Sequence, residues 1–214
     1  MHSSSRIVFH QPAAQSEAEQ KLQALLARIR ACTACAGTLP HAPRPVLRAS
    51  ASARILIVGQ APGRKVHETG IPWNDPSGDL LRAWLGIDRD TFYDERRIAI
   101  APAGFCYPGK GRSGDLPPRP ECAPLWHPSL RALLPDIRIT LLVGSYAQAW
   151  YLGKRRHKSL SDTVQARNDY LPMYFPLPHP SPRNRRWLAL RPWFERDVLP
   201  ELHQRFHAAL SAPD

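Results

Sequence analysis

Apolar residues along this chain fall into two recurring patterns. The first is the short unbroken run. Residues 55–58 read Ile-Leu-Ile-Val, and a run that is β-branched and bounded on both sides predicts a strand buried on both faces, as in a parallel sheet. Residues 97–101, 137–143 and 174–177 predict three further strands. The second pattern is the helical stripe. Leu22, Leu25, Leu26 and Ile29 share one face of a helix over residues 16–30, where Ser16 and Glu19 have the spacing of a capping box. Leu80, Leu81, Trp84 and Leu85 give a second stripe, opened by the turn and cap signals of Asp75-Pro-Ser-Gly-Asp79. Residues 125–134 and 146–152 predict two more helices. Trp193, Phe194, Val198, Leu199, Leu202 and Phe206 mark a last one, which Pro200 should kink. Strands alternate with helices, and no segment repeats. The pattern predicts an α/β fold, a three-layer α/β/α sandwich with a mainly parallel four-stranded central sheet.

Composition refines this picture. A chain of 214 residues with 43% apolar content suits one domain with a sizeable core, expected over residues 16–214 behind a disordered head at 1–15. Proline supplies 23 of the 214 residues, about double its usual share of roughly 5%, so much of the chain is rigid loop. The formal charge is +11, from 29 basic against 18 acidic residues. Such an excess favours polyanionic partners, nucleic acid ahead of acidic membrane surfaces. The head lacks the apolar centre and cleavage site of a secretory signal, and no run is long enough to span a bilayer. A cytoplasmic monomer with no membrane attachment is the expectation.

The strand over 55–58 stops at Gly59, and Pro62 and Gly63 prevent its continuation. In open α/β sheets ligands bind at the carboxyl ends of the strands. One strand end, one strained loop and one helix start thus hold Gln60, His67, Glu68, Trp73 and Asp75 within a short reach. Plain structural roles suit some of them as well: Asp75-Pro76 is a common N-cap and first-turn pair, and an aromatic after Pro72 is often core.

The four cysteines are distributed suggestively. Cys32 and Cys35 form a Cys-x-x-Cys at the end of the first predicted helix, and Cys106 and Cys122 bracket fifteen residues of Pro/Gly-rich loop. Four unrelated buried thiols would rarely include such a pair, and disulfides are disfavoured in a cytosolic chain. A four-thiolate metal site fits better. Zinc and iron–sulfur both accept four thiolates, and spacing alone does not separate them.

A strand followed by Gly-Gln-Ala-Pro-Gly, a Pro-Trp pair, four cysteines in this order and a late His-Pro-Ser together resemble the uracil-DNA glycosylase superfamily. The fifteen-residue gap is similar to that of its family 4 and 5 members, over about residues 22–206. Those members carry a [4Fe–4S] cluster, so the resemblance implies iron rather than zinc at Cys32, Cys35, Cys106 and Cys122, in a structural role. It also implies an enzyme that flips a uracil out of DNA and hydrolyses its bond to deoxyribose.

Asp75 matches the catalytic aspartate of the Asp-x-Ser-Gly-Asp pattern of family 5. Gln60 stands where family 4 has glutamate; a glutamine orients water but takes no proton, which leaves Asp75 as base or cation stabiliser. Gly59, Ala61, Trp73 and Asn74 fall where the family binds the base, with Trp73 as its stacking aromatic. His179 matches the histidine that donates to the uracil carbonyl, although a loop histidine among prolines is the plainer view. Ser181-Pro-Arg183 matches the wedge that enters the groove, and it also reads as a helix cap. Lys154, Arg155 and Arg156 read as a solvated basic loop or as phosphate contacts. They precede His157, which resembles a residue of a superfamily branch that bonds covalently to DNA. One position departs from the pattern: Pro102 replaces the asparagine that families 4 and 5 use to read uracil, so Asn74 or a loop amide would have to read the base, or the base differs. A glycosylase for another deaminated or mismatched base and an inactive DNA-binding protein of the same fold are the rival expectations.

Overall fold

The structure, a computed structural model, describes residues 16–112 and 114–211; the head expected at 1–15 lies outside them. Ser16 caps α1 (Glu17–Arg30), its hydroxyl accepting from the Glu19 amide at 3.2 Å. The Glu19 carboxylate reaches instead to Ser50 and to the Ala51 amide, tying the helix to the approach of the sheet. Then follow β1 (Ile55–Val58), α2 (Arg64–Thr69), α3 (Pro76–Leu85), α4 (Arg89–Tyr93) and β2 (Ile98–Ile100). A small antiparallel hairpin, β3 (Lys110–Gly111) and β4 (Gly114–Asp115), leads to α5 (Cys122–Ala132), β5 (Ile139–Val143), α6 (Ser145–Leu152) and α7 (Leu160–Gln165). The chain ends in β6 (Tyr174–Leu177), α8 (Arg185–Ala189) and α9 (Leu199–Ser211).

The expected fold is the observed one. The main sheet has the order β2-β1-β5-β6 with every pairing parallel, Ile55 facing Ile98 on one side and Ile139 on the other. Side chains of β1 alternate between two cores, as a strand's period of two requires. Leu56 and Val58 pack with Leu22, Leu26 and Ile29 of α1 and Leu130 of α5. Ile55 and Ile57 pack with Leu81 and Leu85 of α3 and Leu202 and Phe206 of α9. Helices therefore cover both faces of the sheet. Because β1 pairs with β2 on one side and β5 on the other, the chain reverses direction beside β1, and the crevice beyond the strands' carboxyl ends opens there.

Besides the short helices α4, α7 and α8, which the pattern does not predict, three local features differ from that reading. Residues 64–69 form the short α2 rather than loop. The Pro/Gly loop after Cys106 contains the β3–β4 hairpin, too short to leave an alternating signature. The last helix is divided: a π turn over Phe194–Val198 precedes α9, and the Leu199 amide donates to the Phe194 carbonyl. Pro200 has no N–H for the regular ladder, and it stands second in α9.

Candidate active site

A cleft of about 350 Å³ lies at the carboxyl ends of β1, β2 and β6, within the usual size of a small-molecule site. The loop after β1 contributes Gly59, Gln60, Ala61, Pro62 and Gly63. The start of α3 contributes Asp75 and Ser77, the residues past β2 contribute Pro102, and the loop after β6 contributes His179, Ser181, Arg183 and Asn184. Trp73 and, from β4, Asp115 complete its walls. Residues more than a hundred positions apart in sequence are thus brought to one crevice by the parallel sheet.

Trp73 is held in an uncommon conformation, with φ at 56°, a region that bulky side chains rarely adopt. Three contacts enforce it. Arg82, a buried residue of α3, donates to the Trp73 carbonyl at 3.3 Å, and the Tyr93 hydroxyl donates to the Pro72 carbonyl at 2.8 Å. Gly78 lets the helix approach, since a methyl group there would collide with the Trp73 carbonyl oxygen. The indole then lies over Gly59, where a side chain would begin 2.9 Å from the ring. Strain of this kind gathers at functional sites.

Asp75 caps α3: its Oδ1 accepts from the Gly78 amide at 2.8 Å. It also lines the cleft, so the cap and the site are one residue. His179 stacks beside Trp73, and the Asn184 amide nitrogen donates to the His179 carbonyl at 2.8 Å. Burial holds the His179 imidazole below its ordinary value, with the Asp75 charge opposing the shift. The shift favours the neutral ring, which has one N–H to donate. Ser181 caps a 3-10 turn over Pro182–Asn184, accepting from the Arg183 amide at 3.3 Å, and presents Arg183 at the rim.

Not every expected residue joins the cleft. The Asn74 side-chain Oδ1 accepts from Arg89 at 3.1 Å, and the residue does not line the crevice. Lys154, Arg155 and Arg156 lie exposed after α6 and do not line the cleft, with the Arg155 guanidinium 5.7 Å from the centroid of the Tyr174 ring. His157 sits 3.4 Å from Asp169. Sequence reading missed Asp115, which comes from a segment without a motif, and passed over Ser77 and Asn184, which lie inside Asp75-Pro-Ser-Gly-Asp79 and directly after Ser181-Pro-Arg183. It also missed His127, buried behind Pro102, whose Nε2–H donates to the Pro102 carbonyl at 3.0 Å while Nδ1 accepts from the Tyr151 hydroxyl. Burial pushes His127 down to about 4.

All four cysteines line a second cavity, together with Pro43, Pro45, Phe105, Arg119 and Trp126. Backbone amides of Arg44 and Phe105 donate toward the sulfurs of Cys106 and Cys122. Burial pushes these two thiols up to about 11 and about 12. Arg119 Nε is buried without a hydrogen-bond partner among the described residues. Among those residues, no group of three or more His, Cys, Asp or Glu side chains is arranged to hold a metal ion. Nor is any helix long and apolar enough to cross a membrane.

Comparison with known proteins places the cleft in context. The chain is 25% identical over 141 residues to a Type-4 uracil-DNA glycosylase of Thermotoga maritima, covering 64% of this chain and 69% of that protein. A sequence model of the uracil DNA glycosylase superfamily matches residues 48–203, a span that takes in every cleft residue named above together with Cys106 and Cys122. With that match over most of its length, and with the parallel sheet and carboxyl-end cleft in place, the chain belongs to the uracil DNA glycosylase superfamily.

Proposed function

We propose that this chain is a monofunctional DNA glycosylase that releases a flipped uracil, with a structural [4Fe–4S] cluster. The observation that supports it most is the convergence of Trp73, Asp75, His179 and Gln60 on one cleft whose rim carries Arg183. A base inside a duplex is out of reach, so it is extruded into the crevice. Trp73 offers it a stacking face. The bond from the base nitrogen to C1′ of deoxyribose breaks with its electron pair going to the base. The neutral His179 donates its N–H to the carbonyl oxygen on which that charge gathers. The Asp75 carboxylate faces the sugar cation, and Gln60 orients the water whose oxygen forms the new bond to C1′. One proton of the water leaves to solvent, the other stays on the new hydroxyl, and the base anion takes up a proton from solvent, so the products are free base and abasic DNA. Lys154, Arg155 and Arg156 give a basic surface for the duplex flanks.

The cysteine cavity suits the cluster. Four thiols line one cavity, amides donate toward two of the sulfurs, and Arg119, whose Nε has no hydrogen-bond partner among the described residues, belongs to the same wall. An anionic group there would accept from that N–H, and deprotonation of the buried thiols would accompany binding. Cys32, Cys35, Cys106 and Cys122 would hold it, and its contribution would be to brace α1 against the loop that ends at α5.

A second reading, release of another deaminated base, is favoured by Pro102, which lines the cleft and offers no side-chain hydrogen bond. The test is incubation of the purified protein with duplexes containing uracil, hypoxanthine or xanthine, followed by alkaline cleavage of abasic sites. Strand breaks at uracil support the first reading, and breaks at the purines alone support the second. No breaks with any of the three would overturn both.

A further inference from the structure

Asp115 lines the same cleft as Gln60, Asp75 and His179, and none of the steps assigned to those residues uses it. It comes from β4 of the hairpin and is exposed at the cleft rim. Both of its oxygens are placed. Oδ1 accepts from the Tyr107 hydroxyl at 3.3 Å, and Oδ2 stands 3.4 Å from where a side chain at Gly63 would begin. The carboxylate therefore overhangs the end of the Gln60-Ala-Pro-Gly63 loop. Arg64 approaches the same Tyr107 hydroxyl, and Gly114 backs so closely onto Arg183 that a side chain there would collide with its guanidinium.

A carboxylate at this place is costly for a protein that must receive a polyanion. The chain carries a formal +11, and its rim arginine attracts phosphate, whereas Asp115 repels it. The repulsion is offset if positive charge develops in front of the carboxylate during the reaction. Glycosidic cleavage creates such a charge on the sugar. Gln60 cannot answer it, being neutral, and Asp75 has one oxygen committed to capping α3.

We propose that Asp115 is a second carboxylate of the reaction, its Oδ2 stabilising the positive charge that develops on deoxyribose. This rests on the glycosylase reading, and the test separates the two. Binding is measured for duplexes carrying a cationic pyrrolidine in place of the sugar and for duplexes carrying a neutral tetrahydrofuran abasic analogue, with the unmodified protein, Asp115→Asn and Asp115→Ala. Single-turnover release of uracil is measured in parallel. Asparagine keeps an acceptor for Tyr107 and removes only the charge.

The unmodified protein should prefer the cationic analogue, and Asp115→Asn should reduce that preference at least tenfold. Its affinity for the neutral analogue should stay equal or become tighter, and uracil release should slow by a similar factor. A preference unchanged in Asp115→Asn overturns the proposal. So does a preference lost only in Asp115→Ala, which would make the residue a tether for Tyr107. Absence of any cationic preference in the unmodified protein overturns it as well, whether or not uracil is released. A preference that depends on the Asp115 charge in a protein that releases no uracil would uphold Asp115 and defeat uracil as the substrate.

Discussion

The indole of Trp73 lies against the imidazole of His179, with ring centroids 5.5 Å apart and planes inclined by 30°. One ring comes from the loop before α3 and the other from the loop after β6, so their contact joins the two sides of the sheet at the cleft. The pair combines an apolar face for stacking with a neutral N–H for donation. Its geometry depends on two small residues, Gly59 under the indole and Gly78 against its backbone.

Gly78→Ala discriminates between local and tertiary control of this loop. Gly78 lies inside α3, where alanine ordinarily gains about 1 kcal/mol over glycine. Here the added methyl meets the Trp73 carbonyl, and overpacking of this kind typically destabilises by about 1–3 kcal/mol. The variant should be less stable in urea denaturation and should turn over uracil more slowly. A variant more stable than the parent would show that the Trp73 backbone yields freely and holds no strain.

Asp75 serves as helix cap and as cleft carboxylate, and the two roles separate by substitution. Asparagine caps as well as aspartate, whereas alanine loses about 1 kcal/mol. Asp75→Asn should therefore leave the denaturation midpoint nearly unchanged, yet slow single-turnover cleavage strongly with affinity for uracil-containing DNA retained. His179→Ala should slow cleavage by about 10²–10³, as removal of a donor aimed at developing charge does. Gln60→Ala should do the least harm of the three. Cleavage at the unmodified rate by Asp75→Asn would confine that residue to capping.

His127 makes stability depend on pH. Its folded value lies near 4, against 6.5 for the exposed imidazole, because burial disfavours the charged ring. Between those values the unfolded chain binds a proton that the folded chain refuses, so stability rises with pH across the window and falls on acidification from 6.5 towards 4. A difference of this size corresponds to about 3 kcal/mol. His127→Gln, which can still donate to the Pro102 carbonyl, should flatten the dependence of the urea midpoint over that range. An equally steep dependence in the variant would assign the effect to other groups.

What could be read from the sequence divides along physical lines. The four strands were legible because an unbroken apolar run as short as 55–58, closed off by Gly59, suits a strand buried on both faces and little else. Parallel pairing followed from the alternation of such runs with helices. Gln60, Trp73 and Asp75 could be placed at one cleft because turn residues mark the strand end and helix start that expose them, whereas His179 was singled out only by its match to the family's late motif. Asp115 was not legible: its strand is two residues long, and its place at the cleft comes from a hairpin in which it pairs with Lys110. His127 was invisible because it sits inside a helix as an ordinary half of a polar pair, and only the tertiary approach of Pro102 gives it a role. Asn74 looked available because its neighbours are site residues, yet Arg89, brought up by α4, donates to its side-chain Oδ1.

Removal of one cysteine tests the cluster together with the hairpin it would anchor. Protein purified without oxygen should be brown and contain iron and acid-labile sulfide in equal amounts, because four thiols surround one cavity. Cys106 is followed directly by Tyr107, whose hydroxyl holds Asp115, so the sulfur end of this loop and its cleft end are adjacent. Cys106→Ser should lose iron, lower the thermal midpoint and expose residues between 106 and 122 to protease, since binding free energy at such a site is folding free energy. Uracil release should weaken in parallel as the hairpin loosens. Stoichiometric zinc in the unmodified protein, or no metal at all, would rule out the cluster. Full iron and unchanged protease resistance in Cys106→Ser would show that Cys106 holds neither the cluster nor the loop.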